Sequence, residues 1–345
     1  MKRRSDQRGV ALLTMLLIAA LATTLIMTII ERQSRVQREL AGQMQQDQIA
    51  EYNRGAAMFA IAALRADARD GTSVDHPGEA WAQPFPPFPV PGGVIQPSLR
   101  DAQARFNLNS LVENGGVNSA ALAVYQRLLA QLALPAELAD SLVDWLDSDS
   151  QPYSAAGAED DYYLRQQPAY RSANRALSTY GELRLVRGYN SAIMRTLAPW
   201  VVVLPAGAKT INVNFLTPGL LEALVPGLSP AAAVDLLRQR PQDGWQSVDA
   251  FMDNPMFNGV SSEIRQQLQG MLAVKSGYFE LYTRIRFGDR ERLQWSLIAR
   301  RGSGSLEVIA NERNPAWVPQ FEPIPEAGED ADTDSDADNK KEEGD

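Results

Sequence analysis

From Val10 to Ile30 the chain runs for twenty-one residues without a charge, preceded by Lys2, Arg3, Arg4, Asp6 and Arg8 around the single Gly9. At ~1.5 Å per residue that run makes a helix of about 31 Å, the thickness of a hydrocarbon core. The segment can span a bilayer, and the basic residues ahead of it predict one crossing, with the first nine residues cytoplasmic and the chain beyond Ile30 exported. Charges return at Glu31, but the helical pattern continues. Glu31–Arg69 has no proline and only Gly42 and Gly55 as breakers, while Ile49, Tyr52, Ala56, Phe59 and Ala63 recur at three-to-four spacing. This predicts a solvated stem whose second half packs on a globular head.

At Asp70 the pattern changes. The stretch to Pro97 is loop-rich, and the proline-dense AQPFPPFPVPGG excludes helix and central strand. VIQPSLRDAQARFNLNSL then reads as strand, turn, strand. Near the far end, GYFELYTRIRFGDRERLQWSLIARRGSGSLEVIANERN alternates apolar and polar residues and breaks at Gly288-Asp289 and Gly302-Ser303-Gly304, an antiparallel meander. Roughly 160 residues of helical pattern separate these strand regions. A helical block inserted between strands of one sheet is the economical reading.

That block carries a weak internal repeat. RFNLNSL (Arg105–Leu111) recurs as TINVNFL (Thr210–Leu216); Asp140 and Leu142 of LPAELADSLVDWL match Asp235 and Leu237 of SPAAAVDLLRQR; LSTYGEL, ending at Leu183, matches WQSVDAF, ending at Phe251. Each copy reads as a strand-end turn, a helix, a tight turn and a second helix. The second copy is similar to helix-hairpin-helix or SAM-like units, some of which bind DNA. A DNA-binding hairpin presents Gly-x-Gly to phosphate, whereas this chain has Gly227-Leu228-Ser229, with Asp235 beside Arg238 and Arg240. Protein packing fits the copies better than nucleic acid.

Composition narrows the chemistry. Cysteine is absent, which removes disulfides and thiolate sites, and His76 is the only histidine, in a stretch rich in Pro and Gly where it reads as solvated. Triads and His-ligated metals are excluded, so the chain reads as a non-enzyme. A net charge of −9 argues against nucleic acid as main partner. The end, Glu322–Asp345, has no aromatic residue and many carboxylates, an acidic tail read as disordered.

One stretch concentrates chemistry. In DWLDSDSQPYSAAGAEDDYY, Asp147 and Asp149 stand two apart in a loop, and Glu159, Asp160 and Asp161 return after a Gly-containing turn. Carboxylates converging without a basic partner call for a cation, and oxygen-only ligation from an irregular loop favours Ca²⁺ over Mg²⁺. It is not an EF-hand, since Pro152 and Ala158 fall where that loop needs Gly and Glu. Two other readings stand beside it: acidic residues favoured at helix ends, and a metal-dependent or acid–base hydrolase.

The leader is open to three readings: a cleaved secretory signal with Ala20-Leu21-Ala22 as its site, a plain anchor, or a type IV prepilin signal, which a basic leader ending in Gly9 before an apolar run resembles. Taken with FNLNSL, DWLDSDSQP, GAEDDYY, PAYRSANRALSTYGELRLVRGYN, LAPWVVVLP and INVN, the chain resembles the type II secretion system protein K family, the large minor pseudopilins. The resemblance runs to about Arg313.

It implies an α+β fold: a long N-terminal transmembrane helix packed on an antiparallel pilin-like sheet, with a SAM-like helical domain inserted. The corresponding divisions are a leader (1–9), a membrane and filament-core helix (10–30), its continuation into the head (31–69), the first part of the head (70–104), two SAM-like repeats (105–273), the C-terminal strands (274–315) and a disordered acidic tail (316–345). It implies cleavage by prepilin peptidase between Gly9 and Val10 with methylation of Val10, an inner-membrane anchor and a periplasmic bulk. It also implies a tip complex with minor pseudopilins I and J that starts pseudopilus assembly and supports export of folded exoproteins, and Ca²⁺ at Asp147, Asp149, Glu159, Asp160 and Asp161. One departure is Thr14 at mature position five, where most pilins carry Glu. In a filament that glutamate pairs with a neighbouring subunit, so its lack suits a tip position. The other function class that stays open is a membrane-anchored periplasmic DNA-binding protein of an uptake system.

Overall fold

In a computed structural model, residues 7–69, 73–287, 290–302, 304–315 and 317–321 are described, the first four through their backbone alone. They fall into two compact units, Met1–Gly55 and Ala56–Asp345. Helix α1 (Gln7–Arg69) runs through Gly42 and Gly55 without a break, and Gly9 and Val10 lie in its first turn. Its apolar stretch is open on all sides: Leu12, Leu17, Leu25 and Ile29 are each more than half exposed. The hydroxyls of Thr14, Thr23, Thr24 and Thr28 each donate to a carbonyl three or four residues back, so the run satisfies its own polar atoms. This helix is long and apolar enough to cross a membrane. The charged start of the leader, Met1–Asp6, lies outside the described residues.

In the second unit the last turns of α1 bury Ala56, Ala57, Ala60 and Leu64. Phe59, expected in the buried stripe, is 41% exposed; it packs edge-on against Phe85 and Phe88, with ring centroids 5.1 and 5.3 Å away. The proline run is more ordered than its composition suggests. It holds β1 (Phe88–Val90), paired antiparallel to β2 (Gly93–Asp101) at the sheet's edge, where Pro89 interrupts no central ladder.

Next come the inserted elements: β3 (Phe106–Asn107), the small hairpin β4 (Val112–Glu113) and β5 (Gly116–Val117), α2 (Ser119–Gln131), α3 (Glu137–Leu146), α4 (Asp160–Tyr163), α5 (Ser191–Leu197) and β6 (Val201–Val202). A second series follows: β7 (Ile211–Asn212), α6 (Pro218–Leu224), α7 (Pro230–Arg238), α8 (Val248–Met252), α9 (Ser262–Met271) and β8 (Leu272–Ala273). β3 pairs in parallel with β6, and β7 in parallel with β8. One apolar core runs through both series, from Phe106 and Tyr125 to Phe251 and Phe257.

The asparagines of the repeated motif make the same bonds twice. Asn107 and Asn212 accept from the N–H of Asn109 and Asn214. Asn109 then brackets one residue's backbone, accepting from Leu177 N–H at 2.8 Å and donating to Leu177 C=O at 3.0 Å. Asn214 does the same to Trp245, at 2.7 and 3.2 Å.

The sheet closes with β9 (Tyr278–Phe287), β10 (Arg290–Arg300) and β11 (Leu306–Arg313), all antiparallel in the order β1-β2-β9-β10-β11. The Gly288-Asp289 turn lies outside the described residues. Insert and sheet share polar ties: Arg105 bonds the carbonyls of Ala198 and Val201 and pairs with the buried Glu280, while Gln103 donates to Thr210.

Two expectations need correction. The tail division at residue 316 falls too early, because Trp317 packs edge-on against Tyr282 and lies over the guanidinium of Arg105, and Phe321 stacks beside Arg284. These aromatics find apolar and cationic partners on the sheet; residues 322–345 lie outside the described residues. His76 is buried and hydrogen-bonded, its Nδ1 accepting from Gly78 N–H, instead of solvated.

Candidate metal centre

Helix α3 buries Leu138, Ala139, Leu142, Val143, Trp145 and Leu146, and this packing fixes where its last turn points. Asp144, on that turn, is fully buried. Its two oxygens accept from Tyr153 N–H at 2.7 Å and Ala158 N–H at 2.6 Å, folding the loop back onto the helix that launches it. Gly157 is required here, because a Cβ at that position would collide with Asp144 Oδ2.

The returning loop sets Glu159 beside the end of α3. Asp147, Asp149 and Glu159 bring carboxylate oxygens within 4.8 Å of one another. Asp147 and Glu159 are each only 5% exposed, and Asp147 Oδ1 with both oxygens of Glu159 have no hydrogen-bond partner among the described residues. Burial foremost, then the charges of Asp149 and Asp144, pushes Asp147 up to about 6. Burial and the charges of Asp144, Asp147 and Asp149 push Glu159 up to about 7. Two desolvated carboxylates with orphaned oxygens, beside a third, exposed one at Asp149, are an arrangement that a positive ion relieves.

Of the five carboxylates expected at this point, the structure brings three together and leaves two outside. Asp160 pairs with Arg171 at 2.6 Å and accepts from Ser172 N–H at 3.0 Å. Asp161 is exposed. Both sit in α4, which turns them away from the loop interior.

Asn174 was not singled out from the sequence. Its Nδ2 donates to the carbonyl of Asp149 at 2.7 Å, its backbone sits at φ 44°, and its Oδ1 is buried without a partner. The sequence offered only that Asn is the non-glycine residue type most at ease at positive φ. Every donor present is an oxygen, which suits Ca²⁺ and no soft metal. Asp147, Asp149 and Glu159 would hold such an ion, with Asn174 tied to the carbonyl of Asp149.

Models of the family described as type II secretion system (T2SS), protein K match residues 104–206 and 211–275. Type II secretion system protein K of Pseudomonas aeruginosa is 36% identical over 337 residues, covering 95% of this chain and 98% of the relative. The chain belongs to the type II secretion system protein K family. The protein K of Klebsiella pneumoniae is 36% identical over 324 residues, 90% of this chain and 98% of its own length. The crystal structure of the GspK-GspI-GspJ complex from the enterotoxigenic Escherichia coli type 2 secretion system contains a chain with TM-score 0.73 and 32% identity, covering 80% of this chain and 99% of that one. The two family-matched segments correspond to the two series of inserted elements, β3 to β6 and β7 to β8, and the carboxylate loop lies in the first.

Proposed function

We propose that this chain is a minor pseudopilin that joins minor pseudopilins I and J in the tip complex of a periplasmic pseudopilus, starts its assembly and supports export of folded proteins across the outer membrane. The observation that carries this reading is the 32% identity and TM-score of 0.73 to a chain of the GspK-GspI-GspJ complex, over 80% of this chain. The apolar start of α1 supports an inner-membrane anchor, with the head periplasmic. Prepilin peptidase cuts between Gly9 and Val10, and Val10 is then methylated. Without a glutamate at mature position five, Thr14 offers no carboxylate to a subunit stacked ahead of it, which suits the first subunit of a filament. Within the head, Asp147, Asp149 and Glu159 hold a structural Ca²⁺.

Co-expression tests the reading directly. Tagged full-length chain, extracted in mild detergent, should bring down minor pseudopilins I and J together. Recovery of neither overturns it. No observation favours a DNA-binding role: Arg238 pairs with Asp235, and Arg240 is half-buried over Trp245.

A further inference from the structure

A second group of carboxylates lies where α1 ends. Asp67 of its last turns, with Asp75 and Glu79 of the following loop, places oxygens within 4.8 Å of one another. The chemistry differs from that of the 147–159 loop. Asp75 is already engaged: Arg300 Nη1 reaches both its oxygens at 2.8 Å, and Oδ2 accepts from Ser276 N–H at 2.6 Å. Glu79 Oε2 accepts from His76 N–H and Trp81 Nε1–H, at 3.1 and 2.7 Å. Glu79 Oε1 is buried without a donor among the described residues, and Asp67 lies within hydrogen-bonding reach of Glu79. Two oxygens beside a guanidinium are too few for a Ca²⁺ that takes six to eight. They match one proton between two carboxyl groups.

We propose that Asp67 and Glu79 share a proton that clasps the end of α1 to the 73–81 loop, so that the junction of helix and head tightens in mildly acidic and loosens in alkaline surroundings. The groups facing this pair are Asp75 and His76 of the same loop and Arg300 of β10; Asp101 at the end of β2 stands behind Asp75, joined to it through Ser276. His76 Nδ1 accepts from Gly78 N–H, so Nε2 carries the ring proton; it stands 3.9 Å from Glu79 Oε1, beyond a hydrogen bond. Arg300 approaches Asp67 only at 3.8 Å.

Burial first, then the charge and hydrogen bond of Glu79 and the charge of Asp75, push Asp67 up to about 7, against a lowering by Arg300. Unfolded, the same carboxyl gives up its proton near 3.8. The folded state holds the extra proton between those values, so stability falls as pH rises from about 4 to about 7 and levels off above. Asp101, raised to about 7 mainly by burial and held by Ser276, Asn212 and Gln103, contributes in the same direction and needs its own control.

The test uses full-length protein in detergent with saturating calcium, melted across a pH series. The wild-type melting temperature should fall through this window. Asp67→Asn and Glu79→Gln should both flatten the fall, because each amide supplies a permanent N–H across the pair, whereas Asp101→Asn should leave the Asp67 share of the slope in place. Variant profiles parallel to wild type and merely displaced would overturn the proposal. Calcium protection of Asp147→Ala that vanishes in Asp147→Ala/Glu79→Gln would also overturn it, assigning the cluster to a cation. Should the Asp67 and Glu79 variants not fold, Asp101→Asn in saturating calcium still answers: its infrared difference spectrum between about pH 6 and pH 8 should show loss of a protonated-carboxyl band, and a spectrum without that band sinks the clasp.

Discussion

Asp144 and Asp147 stand one helical turn apart, and their roles differ because of the backbone each meets. Asp144 faces two N–H groups and is fully engaged in shaping the loop; Asp147 meets only the N–H of Asp149 and keeps Oδ1 bare. Replacing them should therefore fail differently. Asp144→Ala leaves two N–H groups unpaired and costs on the order of 2–4 kcal/mol whether or not calcium is present. Asp147→Ala should leave the calcium-free protein nearly as stable as wild type and abolish calcium binding, read by titration calorimetry. At calcium near 100 times its Kd the ion contributes about 2.7 kcal/mol, a rise in melting temperature of about 5–10 °C that chelation removes. Equal calcium shifts in Asp147→Ala and wild type would show that the ion is held elsewhere. Gly157→Ala should mimic Asp144→Ala, since its Cβ drives the same carboxylate out of place.

Among the elements, the asparagine brackets offer the clearest comparison. Asn109→Ala and Asn214→Ala each remove two bonds to one residue's backbone, of Leu177 and of Trp245, the first also a bond to Leu204 C=O, and each should lower stability by about 1–3 kcal/mol in a denaturant melt. A neutral result at either position would show that its bracket contributes nothing. The pairing of Leu177 with Trp245 was legible in the sequence because LSTYGEL and WQSVDAF keep one spacing from these residues to Leu183 and Phe251. The meander was legible too, since Phe279, Leu281, Ile285 and Phe287 alternate with polar residues along β9 and Gly-containing breaks follow β9 and β10. The phase of α1 was not. Ala56, Ala57, Phe59, Ala60 and Ala63 satisfy more than one three-to-four pattern, and only the neighbours Phe85 and Phe88 decide that Phe59 lies at the rim. The metal loop was half legible: carboxylate density marked it, but which acids turn inward depends on Arg171 capturing Asp160, a contact outside the motif. Asn174 had no charge to betray it.

For the whole molecule, the distribution of charge changes one earlier inference. Glu322–Asp345 carries eleven carboxylates and two lysines, which accounts for the entire net charge of −9. Residues 1–321 are neutral in sum, so the acidity that argued against nucleic acid belongs to the tail alone, and the stronger argument is how Arg238 and Arg240 are occupied. Processing is testable at this scale. In cells with prepilin peptidase the intact mass should correspond to a chain starting at methylated Val10, and in cells without it to one keeping the leader. A start well beyond Val10 would remove the anchor and the filament reading with it.

The two copies also differ in length between equivalent points. The second passes from the end of α7 to its bracketed Trp245 through Gln239–Gly244, whereas the first takes residues 147–176 to reach Leu177. So long an excursion adds entropy that a short turn does not, and a chain without cysteine has no covalent staple to close it. A divalent ion spanning Asp147 and Glu159 would serve as that staple. Unlike a disulfide it needs no oxidising machinery to form, and it leaves when the surroundings run short of calcium.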